Sequence, residues 1–488
     1  MVSKSKKIGL CHGVFDVIHI GHLKHFIEAK KYCDFLIVSL TSDEFVKKSK
    51  GHNRPLFNES ERLKILENLR CIDKVIISNN ETAISVIKKI KPDFYFKGKD
   101  YINSSTDKNL ALEKKLVQKY KGKVIFTKTG LNSSTNIINK KFNLSKNFLD
   151  EILNEKEKKI FEKKLKKFTE KKLSDNILII GEHIIDTYIK TNVQGKSGKS
   201  NILTSSYVSS KSYGGGTILV SNLLSNFIEG TNNICFQNNY NDKTYRKYLN
   251  KSVKKLNFKT NLKIIEKQRF QDNYSKSKLF QINLNQDDLL NLHNKENFYK
   301  FFSKINLSRF KMIIIFDYGH GLIDSKIIKL ISKFSNKTFI NCQSNSFNFG
   351  YNLISKYKKA KVISMDEAEF RLLVQDKYTS VKKLIQKNEK FFSGFQKTII
   401  TMGKNGAYVL ERKKLIFCKS LINSSKDTTG CGDIFFTIFI MLDFVSNFSN
   451  IEKLIISHMC AGLHAEFDGN ENIIKKNNLF KFFKNYLL

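Results

Sequence analysis

Residues 13–22, GVFDVIHIGH, decide the fold of the N-terminal part of this chain. They follow a short apolar run at residues 8–11 that is typical of a strand, and they open a helical pattern at residues 21–32. A helix that begins directly after a strand offers unpaired backbone N–H groups and a positive dipole end, which favour phosphate. His19 and His22 can donate to nucleotide phosphates there, and Gly21 lets the backbone approach closely. We therefore predict a phosphate-handling site on an α/β fold.

The same alternation of strand and helix continues to about residue 141. Predicted strands occupy residues 8–11, 35–40, 74–78 and 94–97, and predicted helices occupy residues 21–32, 59–69 and 82–90. This order predicts a parallel sheet covered by helices on both faces.

A second alternation begins at residue 176, after a Lys- and Glu-rich segment. Its predicted strands are residues 177–180, 312–316, 338–340, 362–364 and 398–401. Polar, extended segments near 190–210 and 260–285 predict a small sheet that covers a site as a lid. The fold class is thus α/β with two parallel-sheet, three-layer domains. We predict domains at residues 1–141 and 175–488, joined by a charged helical linker at 142–174.

Composition excludes several classes of protein. With 488 residues and 41% hydrophobic side chains, the chain can fill two or three cores. It has no apolar run of about 18 residues and a polar start, so we expect a cytoplasmic protein without a membrane span. Eight cysteines without a C-x-x-C spacing predict reduced thiols. The net charge of +40 comes from lysines spread along the whole chain, which indicates solvated surfaces rather than a nucleic-acid site.

A second phosphate-handling pattern is DTTGCGD, residues 427–433, just before an apolar helical run. Gly430, Cys431 and Gly432 would present successive backbone N–H groups at a helix start, forming an anion hole. Asp433 would accept the proton of a sugar hydroxyl as that hydroxyl attacks the γ-phosphate of ATP.

The first pattern resembles the cytidylyltransferase-like nucleotidyltransferases. Residues 97–101, KGKDY, and 130–138, GLNSSTNII, resemble blocks of the adenylyltransferase domain of bacterial bifunctional heptose kinase/adenylyltransferases. The resemblance implies His19 and His22 as catalytic residues. It implies that nucleotide and phosphate are bound by Gly13, Phe15, Asp16, Gly21, Lys50, Arg54, Lys97, Gly98, Asp100, Ser133, Ser134 and Thr135. Lys47 and Arg62 are further candidate cations.

The second pattern resembles the signature of ribokinase-like (pfkB-type) sugar kinases. The resemblance implies Asp433 as the catalytic base, and it places the sugar at Asp186, Gly214 and Gly215. It assigns Mg²⁺, through phosphate or water, to Asp366 and Glu369. It assigns the anion hole and the nucleotide to Asp427, Thr429, Gly430, Cys431, Gly432, Thr401, Gly403 and Gly406.

Three positions depart from the kinase pattern. Asp366 replaces an asparagine, Ile218 stands where a sugar-binding asparagine is usual, and His320 replaces the lysine of a D-Y-G-K-G block. Residues 341–346 replace a D-P-K-like segment. These changes leave open whether the kinase is active or only binds ligand, and which sugar it takes.

The two resemblances together imply a bifunctional enzyme that makes a nucleotide sugar, with domain order reversed relative to the heptose enzymes. ATP and Mg²⁺ would serve the kinase, and ATP or CTP the transferase. Expected partners are sugar phosphates and nucleotides, with no membrane and no specific nucleic acid; a homodimer is an open alternative. A class I aminoacyl-tRNA synthetase, which shares H-I-G-H, and a charge-driven nucleic-acid-binding protein are weaker alternatives.

Overall fold

A computed structural model describes residues 6–50, 54–80, 82–98, 108–127, 149, 152–171, 173–237, 246–260, 262–285, 292–346, 348–421, 427–445, 447–467, 469–471, 473–476, 479–480 and 483. The chain divides into two compact units. The first comprises residues 1–156 and 481–488, and the second comprises residues 157–480.

The first unit is built on a five-stranded parallel sheet with the order β3-β2-β1-β4-β5. Its strands are β1 (Ile8–Gly13), β2 (Phe35–Thr41), β3 (Lys74–Ser78), β4 (Phe94–Gly98) and β5 (Lys123–Thr127). Its helices are α1 (Ile20–Lys30), α2 (Asp43–Lys50), α3 (Glu59–Glu67), α4 (Ile84–Ile90) and α5 (Lys108–Lys119). The predicted strands and helices of this unit are confirmed, and α2, α5 and β5 are additional.

Strand order in the first unit creates a crevice at the carboxyl ends of β1 and β4. The chain moves outward from β1 through β2 to β3, and then returns to the other side of β1 to form β4 and β5. At such a reversal the connections leave neighbouring strands in opposite directions, which opens a space for ligand. The predicted 13–22 motif, and Lys97 and Gly98 of the 97–101 motif, lie at these two strand ends.

The second unit contains a nine-stranded sheet with the order β10-β9-β6-β13-β14-β15-β16-β17-β18. Its strands are β6 (Leu173–Gly181), β9 (Ile228–Gln237), β10 (Lys254–Lys259), β13 (Met312–Asp317), β14 (Thr338–Cys342), β15 (Ala360–Asp366), β16 (Phe395–Thr401), β17 (Ala407–Glu411) and β18 (Lys414–Cys418). Pairing is parallel except at the β16-β17-β18 edge, so the prediction of a parallel sheet holds with an antiparallel edge added.

The predicted lid is a separate four-stranded sheet, here called the small sheet. It has the order β12-β11-β7-β8, and its strands are β7 (His183–Lys196), β8 (Leu203–Gly216), β11 (Ile265–Asp272) and β12 (Lys278–Leu284). Strand β7 begins two residues after β6 ends. The small sheet therefore continues from the carboxyl edge of the large sheet, which is the edge where α/β folds place their ligands.

Nine α-helices complete the described part of the second unit. They are α6 (Glu155–Glu170), α7 (Thr217–Ser225), α8 (Leu292–Ser303), α9 (Ser325–Ser332), α10 (Glu367–Val374), α11 (Val381–Lys387), α12 (Glu389–Phe392), α13 (Cys431–Val445) and α14 (Asn450–Ala465). Helix α13 is apolar along nearly its whole length and is buried, so its first turn is held rigidly at the base of the site.

Helix α6 comes from the charged segment that we interpreted as a linker. Three of its apolar residues, Phe161, Leu165 and Phe168, are buried. Phe161 and Phe168 both make edge-to-face ring contacts with Phe448. Burial of a spaced apolar stripe is what fixes an otherwise charged helix against a neighbour, so most of α6 is a packed helix of the second unit rather than a solvated connection.

Two further expectations concern cysteines and membranes. All eight cysteines are free, and most are buried, as expected for reduced thiols. Among the residues that the structure describes, no helix combines the length and apolar character needed to cross a membrane.

Candidate active sites

His19 lies at the start of α1 and is fixed there by its own backbone contact. Its Nδ1 accepts a hydrogen bond of 3.0 Å from the Gly21 N–H, which makes His19 the N-cap of the helix. Burial lowers the pKa of His19, so the ring is neutral at neutral pH. With Nδ1 accepting, the ring proton is on Nε2. That Nε2 is buried and has no hydrogen-bond partner in the described part of the chain.

His22 lies beside His19. The two ring centroids are 4.0 Å apart, and the Phe15 ring meets His22 edge-on at 5.4 Å. Phe15 itself has φ of +47° and is buried, and its ring occupies the space that a side chain at Gly13 would need. The 13–22 motif thus forms one compact, preorganised loop at the end of β1.

Asp16 and Arg54 bond to each other within the protein and hold this loop in place. Asp16 is buried; one carboxylate oxygen accepts 2.5 Å from Arg54 Nη1, and the other accepts 2.6 Å from the Leu56 N–H. Arg62 is fully buried and donates to the Val14 and Thr41 carbonyls. Arg62 also forms an ion pair with Asp43 at 2.6 Å, so this buried and already paired guanidinium is not placed to receive an incoming phosphate.

Lys97 and Gly98 end β4 on the other side of the crevice. Lys97 pairs with Glu113 at 3.2 Å, and Glu113 also accepts from the Tyr95 hydroxyl and the Ala83 N–H. A Cβ added at Gly98 would meet open space, so the backbone there is accessible to ligand. Asp100, Ser133, Ser134, Thr135 and the side chain of Lys50 lie outside the described residues.

The second site begins with Asp427, which is buried and joins the 427–433 turn to the small sheet. It accepts 2.5 Å from the Tyr188 hydroxyl, 2.6 Å from Lys278 Nζ and 3.0 Å from the Thr429 N–H. Burial opposes ionisation, but the bonds from Lys278 and Tyr188 outweigh it and hold the pKa of Asp427 below its ordinary value. Asp427 and Thr429 therefore connect the 427–433 turn to the small sheet through Tyr188 and Lys278.

The predicted anion hole differs from expectation at one position. The Cys431 N–H donates to the Thr428 carbonyl at 3.2 Å, so it is already used within the turn. Gly430 has φ of +78°, and a Cβ added there would crowd Leu219, Asn470 and His464. A Cβ added at Gly432 would meet open space. The Ile434 N–H donates to the Gly430 carbonyl at 2.9 Å, so the N–H groups of Gly432 and Asp433 are the ones in this first turn that helix geometry leaves for a ligand.

Asp433 is buried in the first turn of α13. Its Oδ1 accepts 2.6 Å from Gln343 Nε2. Burial raises the pKa of Asp433 to about 7, although Tyr318, Gln343 and the charge of Lys267 lower it. A carboxyl with a pKa near neutrality can take a proton and release it at physiological pH, which suits a general base.

Glu182 holds the loop that carries Tyr318. It is fully buried after β6 and accepts from the N–H groups of Tyr318, His320 and Leu322 at 3.1–3.4 Å. Burial, and then the charge of Asp317, raise the pKa of Glu182. Since three backbone donors converge on it, Glu182 determines the path of the 317–321 loop beside Asp433.

The predicted sugar-binding residues form a second cluster on β7 and β8. Asp186 forms an ion pair with Arg269, and Asn470 Nδ2 donates to its Oδ2 at 3.2 Å and to the Gly214 carbonyl at 3.0 Å. A Cβ added at Gly215 would lie 2.1 Å from Asp186 Oδ2. The structure thus brings together Asp186, Gly214 and Gly215.

Ile218 lies in the hydrophobic core next to this cluster. It is fully buried in α7 within an apolar cluster that includes Ile185 and Leu249, and it touches the space next to Gly214. The position is therefore part of the core and offers no hydrogen bond to a sugar hydroxyl.

Asp366 and Glu369 lie together at the start of α10. Asp366 accepts from the Glu369 N–H at 2.7 Å, Glu369 accepts from the Asp366 N–H at 2.8 Å, and Glu369 also accepts from the Ser344 N–H at 2.7 Å. Burial, and then the Asp366 charge, raise the pKa of Glu369. Within the described ranges, no three His, Cys, Asp or Glu side chains are grouped as metal ligands. The pair fits Mg²⁺ held through water, because carboxylate lone pairs remain, but not a direct ligand cage.

Thr401, Gly403 and Gly406 form a tight turn at the end of β16. The Met402 N–H donates to the Gly406 carbonyl at 2.8 Å, and both glycines have positive φ. This turn belongs to the carboxyl edge of the large sheet, as do Asp366 and the 317–321 loop.

Four residues of the second site were not predicted from the sequence. Gln343 donates to Asp433, Tyr318 and the charge of Lys267 on β11 both act on the Asp433 carboxyl, and Arg269 on β11 pairs with Asp186. A polar residue directly after a buried strand, as Gln343 is after β14, was the available signal. Nothing in the sequence of β11 distinguishes Lys267 and Arg269 from surface cations.

Gly215→Ala is expected to disable the sugar pocket with little effect on the rest of the fold. The added methyl group would displace the Asp186 carboxylate and break its ion pair with Arg269, at a cost of about 1–3 kcal/mol. Acceptor-dependent ADP formation should fall at least about tenfold in kcat/KM. Gly198→Ala is the matched control, because a Cβ there meets open space. Equal activity of the two variants would contradict the placement of the sugar beside Asp186.

Comparison with known families agrees with this division into two sites. Residues 10–141 match the cytidylyltransferase-like family, and residues 326–441 match the pfkB family of carbohydrate kinases. The chain thus carries a cytidylyltransferase-like domain followed by a pfkB-type carbohydrate kinase domain.

Relatives that match the N-terminal part of the chain include two bacterial proteins. "Bifunctional protein HldE" of Geobacter metallireducens is 40% identical over 139 residues, which are 28% of this chain and 27% of the relative. "Bifunctional protein HldE" of Aliarcobacter butzleri is 43% identical over 119 residues, 24% of this chain and 25% of the relative. The matched part therefore spans about a quarter of the length of either relative.

Phosphofructokinase-2 from Escherichia coli, solved in complex with substrates and products, resembles the structure with a TM-score of 0.50. The match covers 64% of this chain and 99% of that chain at 12% sequence identity. At this identity the likeness shows that the fold is ribokinase-like and shows nothing about substrate.

Proposed function

We propose that this chain activates a sugar in two steps, phosphorylation at the second site and nucleotidyl transfer at the first. The kinase would transfer the γ-phosphoryl group of ATP to the anomeric oxygen of a sugar phosphate similar to heptose 7-phosphate. The transferase would join a sugar 1-phosphate to a nucleotide from ATP or CTP and release pyrophosphate. A separate enzyme would remove the other phosphate.

The buried Nε2–H of His19 carries the proposal for the first site. A buried donor without a partner is costly, by about 1–3 kcal/mol. The hydrogen bond at Nδ1 fixes the orientation of this ring, which lies at the N-terminus of α1, where anions are stabilised. A phosphate oxygen of the nucleotide would satisfy it, and the adjacent His22 ring would share the charge that develops as pyrophosphate leaves.

Asp433 supports the proposal for the second site. The acceptor hydroxyl gives its proton to the Asp433 carboxylate as its oxygen attacks the γ-phosphorus of ATP, and the first-turn N–H groups of α13 would receive the transferring group. Gln343 keeps the carboxylate oriented. Mg²⁺, held through water by Asp366 and Glu369, would neutralise phosphate charge when bound.

A second candidate function keeps only the nucleotidyltransferase active. It is favoured by Ile218, whose burial in an apolar cluster removes a polar contact to the sugar. The kinase fold would then bind a ligand without turning it over, and changes at Asp433 would alter no activity.

The purified chain should release pyrophosphate from ATP or CTP with a sugar 1-phosphate, and ADP from ATP with a sugar phosphate. The two products are measured separately for each nucleotide and each sugar. Absence of pyrophosphate with every nucleotide would refute the transferase half. Pyrophosphate release without ADP formation from any acceptor would instead establish the second candidate.

A further inference from the structure

The small sheet presents a row of cations toward the second site. In the parallel pairing of β7 with β11, Asp186 lies beside Lys267 and Tyr188 lies beside Arg269. Paired residues share one face of a sheet, and residues two apart on a strand do as well. Since Arg269 reaches Asp186, and Asp186 contacts Asn470, this face is the one turned toward the site.

A bulge in the small sheet adds a third cation to that face. Pairing of β11 with β12 is regular up to Phe270 and Phe280, and then shifts so that Gln271 lies opposite Lys278. In a regular strand Lys278 would point to the same side as Phe280, away from the site. The shift turns it inward, where Lys278 Nζ lies 2.6 Å from Asp427 and 3.4 Å from Thr429 Oγ1.

Two of these three cations are neutralised by acids of the site, and Lys267 is different. Arg269 pairs with Asp186, and Lys278 pairs with Asp427. The half-buried ammonium of Lys267 makes no ion pair or hydrogen bond with any residue that the structure describes, although the charges of Asp186, Asp433 and Glu182 all act on it. Burial of a charge without a direct partner is unfavourable unless a bound ligand supplies an opposite charge.

We propose that Lys267 is a catalytic residue that contacts the phosphoryl group during its transfer. This inference rests on the proposed kinase activity. As the acceptor oxygen–phosphorus bond forms and the bond to ADP breaks, ADP leaves with the bonding electrons and Asp433 holds the acceptor's proton. The negatively charged phosphoryl group would then lie near Asp433 and Asp186, and Lys267 is the cation that would contact and stabilise it.

Three variants test this role. Lys267→Met removes the charge while preserving side-chain length, and Lys267→Arg preserves the charge. Lys263→Met is the control, since Lys263 is exposed two residues before β11. The first measurement is the affinity for ADP and Mg²⁺ with and without aluminium fluoride, which mimics the transferring phosphoryl group. The result is the difference between the ADP affinities measured with and without aluminium fluoride. ADP that binds elsewhere on the chain contributes equally to both measurements and does not affect this difference.

Lys267→Met should lose at least about tenfold of the fluoride-dependent affinity, the value of a charge-assisted hydrogen bond, and should keep its affinity for ADP alone. Lys267→Arg should keep most of both. With an acceptor that the unaltered protein uses, Lys267→Met should lower kcat about 100-fold and leave KM nearly unchanged.

Three outcomes would overturn the proposal. They are an unchanged fluoride-dependent affinity, an equal loss of affinity with and without fluoride, and a raised KM with normal kcat, which would place Lys267 on a fixed anionic group of the acceptor. Failure of the unaltered protein to bind ADP and Mg²⁺ would refute the kinase proposal together with this role. Binding that does not depend on Lys267 would refute only the role.

Discussion

Asp433→Asn should strongly reduce ADP formation and, at the same time, stabilise the second unit at neutral pH. Loss of a general base lowers kcat by about 10²–10⁴-fold. The asparagine Oδ1 can still accept the 2.6 Å hydrogen bond from Gln343, so the local geometry should survive. Pyrophosphate release at the first site should be unaffected, which makes it the internal control for folding and concentration.

The stability effect has a defined pH window. Burial raises the pKa of Asp433 from 3.8 to about 7, so the folded state favours the protonated form. A raised pKa contributes stability at pH below about 4, and that contribution is lost as the pH rises to about 7. Asparagine avoids this loss. The advantage of the variant should therefore grow between pH 4 and 7 and then level off, at no more than about 4 kcal/mol.

Urea denaturation at several pH values, followed by far-UV circular dichroism, measures this difference. The rate should show the complementary dependence, since kcat/KM of the unaltered protein should rise with pH through about 7 as Asp433 ionises. Exposed Glu296→Gln is the control for loss of a single acid. If Asp433→Asn keeps full ADP formation, Asp433 is not the base; if no ADP forms even without the substitution, the second candidate function stands.

Strand β13 was predicted from the sequence, whereas strand β9 was missed. Strand β13, MIIIFD, is buried throughout and is evident from hydropathy alone. Strand β9 contains Thr231, Asn232 and Asn233, which are also buried. Asn232 donates to the Ile177 carbonyl and Asn233 to the Thr217 carbonyl, so tertiary hydrogen bonds satisfy these side chains. No local pattern reveals such partners.

The candidate cations show the same limit. Arg54 and Lys97 were predicted to bind phosphate, and in the structure each also pairs with an acid distant in sequence, Asp16 and Glu113 respectively. Motif position located these residues at the correct crevice. The acids with which they pair are far away in the sequence and come close to them only in the folded chain.

The row of cations on the small sheet could not be predicted from strand periodicity. A period of two assigns Lys278 to the side of Phe280, and the bulge between Phe270 and Gln271 reverses this. Register is a tertiary property, and one extra residue exchanges the two faces of a strand. The second site therefore gained its lysines from geometry, while its Asp433 motif was visible in the sequence.

His19→Asn should lower pyrophosphate release about 10²–10³-fold while preserving the fold of the first unit. Asparagine is a favourable N-cap and can accept from the Gly21 N–H as His19 Nδ1 does. It cannot extend a donor to the position of Nε2. The variant therefore separates the imidazole's chemistry from its capping role.

His19→Ala provides the matched comparison, because alanine removes both the donor and the cap. It should lose the same activity and also about 1 kcal/mol of stability. ADP formation at the second site should be normal in both variants. Since burial lowers the pKa of His19, the neutral ring is the donor, and pyrophosphate release should not decline between pH 7 and 8 as an imidazolium would require. Full activity of His19→Asn would mean that the N-terminus of α1, rather than the imidazole, binds the nucleotide.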